Sequence, residues 1–183
     1  MPAIYPYGGP SPSIVDPMSG SGRSTTSTGG GATGTWTPGT RFRISIPAST
    51  VGYVDEESTS FVPPSDSWDA MARIQVVTGD GSAQTRFGLI VGKDSNNYEV
   101  ISMWGDGNIE VARVYEGAFS SAGWSYGPDA SIRTGGQLWI RMTSQFGYVR
   151  GFWGVGSAGL PPTKWTALGT LNKTSITPLL GAG

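Results

Sequence analysis

Cysteine and histidine are both missing from the 183 residues. Without cysteine there is no disulfide framework and no thiolate metal site, and the redox compartment stays unread. Without histidine the chain loses the commonest general base and the commonest metal ligand, so Ser-His-Asp hydrolysis is excluded. Charge is also scarce: 14% of the residues are Asp, Glu, Lys or Arg, against about 25% in an average protein. The net formal charge is −1, and the arginines are scattered along the sequence, so no general attraction to nucleic acid or to an anionic membrane is expected. No apolar run approaches the ~20 residues of a membrane helix. Met1–Gly9 has neither a basic segment nor an apolar core, so no secretory signal is expected and synthesis in the cytoplasm is.

What is abundant is glycine (29) and proline (13). With few Lys and Glu beside them, they argue against a helical protein and for many turns between short strands. Hydrophobic residues make up 37% of the chain but are unevenly spread. Residues 1–40 hold few aliphatics; five prolines punctuate positions 2–17, and 19–34 is almost entirely Ser, Thr and Gly. Such a stretch buries too little apolar surface to offset its ordering entropy. The expected organisation is an extended Pro/Gly/Ser-rich N-terminal arm over 1–40 and a β-sandwich domain over 41–183. Ile4, Tyr5, Tyr7, Ile14, Val15 and Met18 give the arm two readings. They are incidental residues of a disordered tail, or the anchors of a strand that binds a neighbouring subunit.

From Arg41 the texture changes. Phe42, Ile44 and Ile46 alternate with Arg41, Arg43 and Ser45, the pattern of a half-buried antiparallel strand. A loop is expected through Asp55-Glu56-Glu57 to Pro64, then strands at 70–77, 85–91, 98–104, 108–115, 137–143 and 147–153. Gly79-Asp80-Gly81, Lys93 to Asn97 and Gly105-Asp106-Gly107 mark turns between them. No apolar period of 3.6 persists long enough to predict a helix. The predicted class is all-β, an antiparallel sandwich.

Several of these runs carry a likeness. Thr85-Arg86-Phe87-Gly88-Leu89-Ile90-Val91 passes into a polar turn, Tyr98-Glu99-Val100-Ile101-Ser102-Met103 returns, and Gly107–Arg113 forms the next hairpin arm. Leu138-Trp139-Ile140-Arg141-Met142, Tyr148–Trp153 and Lys164-Trp165-Thr166-Ala167-Leu168 follow. Together they resemble the concanavalin A-like jelly roll of laminin G-type, pentraxin and legume-lectin-like domains, over a little over half the chain. The resemblance implies a jelly roll, and it implies lectin, glycosidase, adhesion or virion roles without choosing among them. Family members usually continue into another long strand past the equivalent of Pro178-Leu179-Leu180-Gly181, whereas this sequence ends at Gly183. Either the arm or a neighbouring chain is expected to supply that strand, or the sheet edge stays short.

Enzyme motifs fare poorly. Gly154-Val155-Gly156-Ser157-Ala158-Gly159 has the spacing of a dinucleotide loop, but Leu160-Pro161-Pro162 follows where a helix must open. Gly88–Lys93 falls one residue short of a phosphate loop, with Asp94 where a hydroxyl is needed. Glu99, Glu110 and Glu116 have no acidic neighbour two positions away, so the paired carboxylates of a glycosidase are not expected. Asp94, Asn96 and Asn97, with Asp80 and Asp106, are the candidate calcium ligands. Tight turns demand the same residues for backbone reasons, so no cofactor is expected.

Aromatic residues are the remaining signal, with seven tryptophans. With Leu138, Ile140 and Met142 on one strand face, Trp139 and Arg141 take the other. Trp124 and Tyr126 fall in an expected Gly/Ser-rich loop. These four are the candidate ligand or subunit contacts. The expected function is non-enzymatic: a bacteriophage virion component, either a capsid cement or decoration protein or a tail-associated one. Its expected partners are virion proteins such as the major capsid protein and copies of itself, a trimer included. The alternative is a carbohydrate-binding, lectin-like module with a glycan as ligand.

Overall fold

The computed structural model describes residues 23–29, 33–37, 41–45, 53–58, 68–76, 86–94, 96–145, 148–157 and 160–172. The chain divides into two compact units, Met1–Val62 and Pro63–Gly183.

In the first unit, strands β1 (Arg23–Gly29), β2 (Thr33–Thr37), β3 (Arg41–Ser45) and β4 (Tyr53–Ser58) pair as two antiparallel ladders. These are β1 with β4, and β2 with β3. Thr25 stands opposite Glu56 and Trp36 opposite Phe42. Part of the expected arm therefore lies in strands, and the Asp55-Glu56-Glu57 segment, expected as a loop, is strand as well. Neither stretch has apolar alternation. What makes them strands is the backbone pairing that each ladder supplies.

The second unit is an antiparallel β-sandwich. Its strands are β5 (Trp68–Ile74), β6 (Arg86–Asp94), β7 (Asn97–Trp104), β8 (Asn108–Tyr115), β9 (Ala118–Tyr126), β10 (Leu138–Gln145), β11 (Tyr148–Val155) and β12 (Thr166–Asn172). One sheet, here sheet I, has the order β12-β11-β10-β5, and sheet II has the order β6-β7-β8-β9. The expected strands between 70 and 153 are all present, 108–115 with the same ends and the others with shifted ones. Trp68, Leu138, Ile140, Met142, Val149 and Leu171 from sheet I meet Ile101, Met103, Ile109 and Val111 from sheet II in one buried core. Each such side chain contributes about 1.5–3 kcal/mol by leaving water.

The hairpins follow from turn chemistry. Glu116 and Gly117 join β8 to β9 with φ of 50° and 80°, the two positive values of a type I′ turn. That turn rests on the preceding one: the Gly117 N–H donates to the Asn96 carbonyl (2.9 Å) and the Glu116 N–H to Asn97 Oδ1 (3.1 Å). A helix that the sequence does not predict, α1 (Ala130–Thr134), carries the chain from sheet II to sheet I. Its five residues are too few for periodicity to register. It is tied back where the Val76 N–H donates to the Arg133 carbonyl and Gln75 Nε2 to that of Thr134.

Two close approaches set how the sheets meet. A Cβ on Gly151 of β11 would stand 2.7 Å from Val111 Cβ across the core, closer than carbon atoms tolerate. At one side of the sandwich the edge strands β9 and β12 come together backbone to backbone. A Cβ on Gly123 would lie 2.4 Å from the Leu168 carbonyl oxygen, and one on Gly169 would lie 2.5 Å from that of Ala122. Near this seam Trp153 Nε1 donates to Ser125 Oγ at 3.1 Å, a direct polar tie between the sheets.

Candidate functional site

Strand alternation divides sheet II into two faces. Leu89, Ile101, Met103, Ile109 and Val111 point into the core, so Ser102 and Trp104 on β7, Asn108 and Glu110 on β8, and Trp124 and Tyr126 on β9 share the outer face. Register sets them in rows. Ser102 is opposite Glu110, and Glu110 opposite Trp124; the neighbouring row puts Asn108 opposite Tyr126.

Trp124 and Tyr126 thus stand on a strand, not in a loop as the sequence suggests. The reason is a bulge: Val111 faces Gly123 while Ala112 faces Ser121. Ala122 is the extra residue, and the alternation changes phase there. Both rings are open to solvent, Trp124 at 60% and Tyr126 at 76% exposure. They meet edge to face with centroids 5.7 Å apart and planes at 82°, a favoured aromatic geometry. Beside them Glu110 is 8% exposed, and its carboxylate accepts a hydrogen bond from Trp104 Nε1 at 3.1 Å. Ser102, 2% exposed, has a hydroxyl with no partner among the described residues, and so has the side-chain oxygen of Asn108. Buried polar atoms without partners are costly, and they are rare where nothing is to be bound. The Asn108 amide is held by Asp106, which accepts from both its backbone N–H (3.0 Å) and its Nδ2 (2.9 Å). The exposed part of this face is the aromatic corner, and two rings set edge to face suit a ligand with an apolar face. Sequence reasoning picked out the two rings but missed Trp104, Ser102, Asn108 and the place of Glu110 beside them, because only register brings them together.

The other candidate pair has been absorbed by the fold. Arg141 does lie on the outer face of sheet I, opposite Met71 and Phe152. Its guanidinium is clasped by both carboxylate oxygens of Asp69 on β5, with Nε to Oδ1 at 2.8 Å. It also lies over the Trp165 ring, 5.3 Å from its centroid. Trp139 is half-buried under the segment after β11: a Cβ on Gly156 would come within 2.7 Å of its indole Nε1, and Pro162 and Lys164 cross over Gly154. Alternation puts Trp139 and Arg141 on the outer face, and there both are packed and partly buried. The glycine-rich stretch from Gly154 continues as a tight excursion bridged by Ser157 and Leu160, with no helix after it among the described residues. Ile4, Tyr5, Tyr7, Ile14, Val15 and Met18 lie outside the described residues, as does Asp80.

Two further placements bear on chemistry. Glu99 shares the inner face of sheet II with Ile101 and is 1% exposed, opposite Arg113. Glu110 is on the outer face, so these two glutamates stand on opposite sides of one sheet, and Glu116 is in the β8–β9 turn. Among the described residues no three His, Cys, Asp or Glu side chains gather as a metal site.

No protein-family model and no curated protein matches the sequence. Among solved structures the chain is similar to a GH43 protein from Bacillus licheniformis, a BlXynB mutant, with a TM-score of 0.42 and 14% identity. The superposition covers 61% of this chain and 19% of that one. A likeness so loose transfers no activity.

Proposed function

We propose that the sandwich is a non-catalytic carbohydrate-binding module whose site is the outer face of sheet II. The observation that carries this is the exposed Trp124–Tyr126 corner set in register beside Glu110 and Asn108. A pyranose ring laid on the exposed Trp124–Tyr126 corner buries its C–H face there, with Glu110 and Asn108 at the neighbouring register positions. Glu99 and Glu110 on opposite faces cannot flank one glycosidic bond, which supports binding over cleavage. The finer form of the fold that this reading favours is the concanavalin A-like jelly roll of the lectins.

A second reading makes the chain a structural component of a bacteriophage virion, a cement, decoration or tail-associated protein, with this face against a neighbouring subunit. Its support is Ile90 and Phe119, large, apolar and exposed on the same face, together with the Pro- and Gly-rich residues 1–40 as a binding arm.

Titration of the chain with a panel of neutral oligosaccharides, read by tryptophan fluorescence and calorimetry, tests the first reading. Trp124→Ala should weaken binding about tenfold or more, while the melting temperature stays put because the ring is exposed. A chain that ignores every glycan but co-sediments with phage particles in many copies overturns it in favour of the second.

A further inference from the structure

The arginines that look scattered in sequence converge on the other sheet. On β5, Arg73 is opposite Trp139, two positions from Arg141 on β10; Arg141 is opposite Phe152, two positions from Arg150 on β11. All three belong to the outer face of sheet I, and each step is a cross-strand diagonal of about 7–8 Å. They form a straight cationic row over three strands. Lys164, exposed on the segment that crosses this face beside Trp165, adds a fourth positive charge. Asp69 is the one carboxylate at a described outer-face position of this sheet, on a chain whose net formal charge is −1. Arg73 and Arg150 are exposed and have no carboxylate partner among the described residues.

We infer that this face binds an extended acidic polysaccharide, independently of the neutral-sugar site on sheet II. Arg73 and Arg150 are two diagonals apart, about 15 Å, too far for a single carboxylate or sulfate to bridge. The ligand must therefore present charges in series. Guanidinium forks suit carboxylate and sulfate oxygens. Single-stranded nucleic acid is disfavoured because it needs free aromatic platforms for its bases. Here the rings are already engaged: Arg141 lies over Trp165, and Arg150 lies 6.0 Å from the Tyr148 centroid.

The test is calorimetric titration of the full chain with a heparin-derived octasaccharide at low salt and at about 0.2 M salt, where screening is strong. A neutral maltooligosaccharide and a thymidine oligonucleotide of matched length run beside it. The octasaccharide should bind, and more weakly as salt rises. Arg73→Ala and Arg150→Ala should each cost about fivefold, and the pair together more, with unchanged melting because both side chains are exposed. Asp69→Asn, which releases Arg141 from its clasp, should raise affinity about threefold. Trp124→Ala should leave octasaccharide binding intact, so failure of the sheet II reading stays distinguishable. No binding at low salt, equal binding by the double variant, or tighter binding of the oligonucleotide would each overturn the inference.

Discussion

Replacing Gly151 by alanine puts one methyl group where the two sheets are closest. The new Cβ would lie 2.7 Å from Val111 Cβ and 2.9 and 3.1 Å from its two methyl groups. Carbon atoms settle at about 3.5–4.0 Å, so the sheets must part by about 1 Å, because no rotamer of Val111 moves its Cβ. Overpacking of this kind costs about 1–3 kcal/mol. Losing a glycine from the unfolded chain returns about 0.4–1 kcal/mol. The net expectation is destabilisation by about 0.5–2 kcal/mol. Val111→Ala alone removes two fully buried methyl groups and should cost about 1–3 kcal/mol. In the double variant the 2.9 and 3.1 Å contacts disappear and the Cβ–Cβ contact remains, so the clash is partly relieved and the two losses should fall short of their sum by about 0.5–1 kcal/mol. Urea unfolding of the four proteins of this cycle, with midpoints compared at constant slope, measures the coupling. Losses that add within about 0.4 kcal/mol, or a Gly151→Ala protein as stable as the parent, would refute the picture of two sheets in contact at this point.

Two smaller predictions concern local geometry. Glu116→Asn places a residue that tolerates positive φ in the first position of the β8–β9 turn and keeps the backbone N–H that Asn97 accepts. Thermal unfolding should show stabilisation of about 0.5–1 kcal/mol, and a lower melting point would contradict the turn assignment. Trp153→Phe deletes the donor to Ser125 while keeping most of the ring, so chemical denaturation should show a loss of about 1 kcal/mol or somewhat more. An unchanged midpoint would mean the bond between the sheets contributes nothing.

How much of this could be read in the sequence depends on how each strand is buried. Leu138, Ile140 and Met142 announced β10 because one face is wholly inside, and a period of two is then unavoidable. The same holds for β5 and, more loosely, β7 and β8. Strand β9 escaped because Ala118 to Tyr126 is small and polar at most positions, and its bulge at Ala122 breaks the phase halfway along. Strands β1, β2 and β4 escaped because Ser, Thr, Gly and a run of acids carry no apolar alternation, and only their partners make them strands. For the candidate site, the sequence named Trp124 and Tyr126 as exposed aromatics but could not place Glu110 and Asn108 beside them. Register carries that information. It also aligns Arg73, Arg141 and Arg150, which sequence spacing alone disperses. Arg141 shows the converse: alternation set its face correctly but could not foresee that Asp69 and Trp165 would occupy it.

The glycine contact between β9 and β12 bears on how the chain behaves in a crowded cell. An open sandwich offers four unpaired strand edges, each a template on which another chain can add. Where Gly123 and Gly169 let two of those edges lie against each other, an incoming strand finds no room, so the unit is guarded against templated aggregation on that side without a single gatekeeper charge. That protection hangs on two hydrogen atoms in place of side chains. A bulky replacement at either glycine would prise the seam apart and expose both edges at once, so its first symptom would be insoluble protein rather than lost ligand binding.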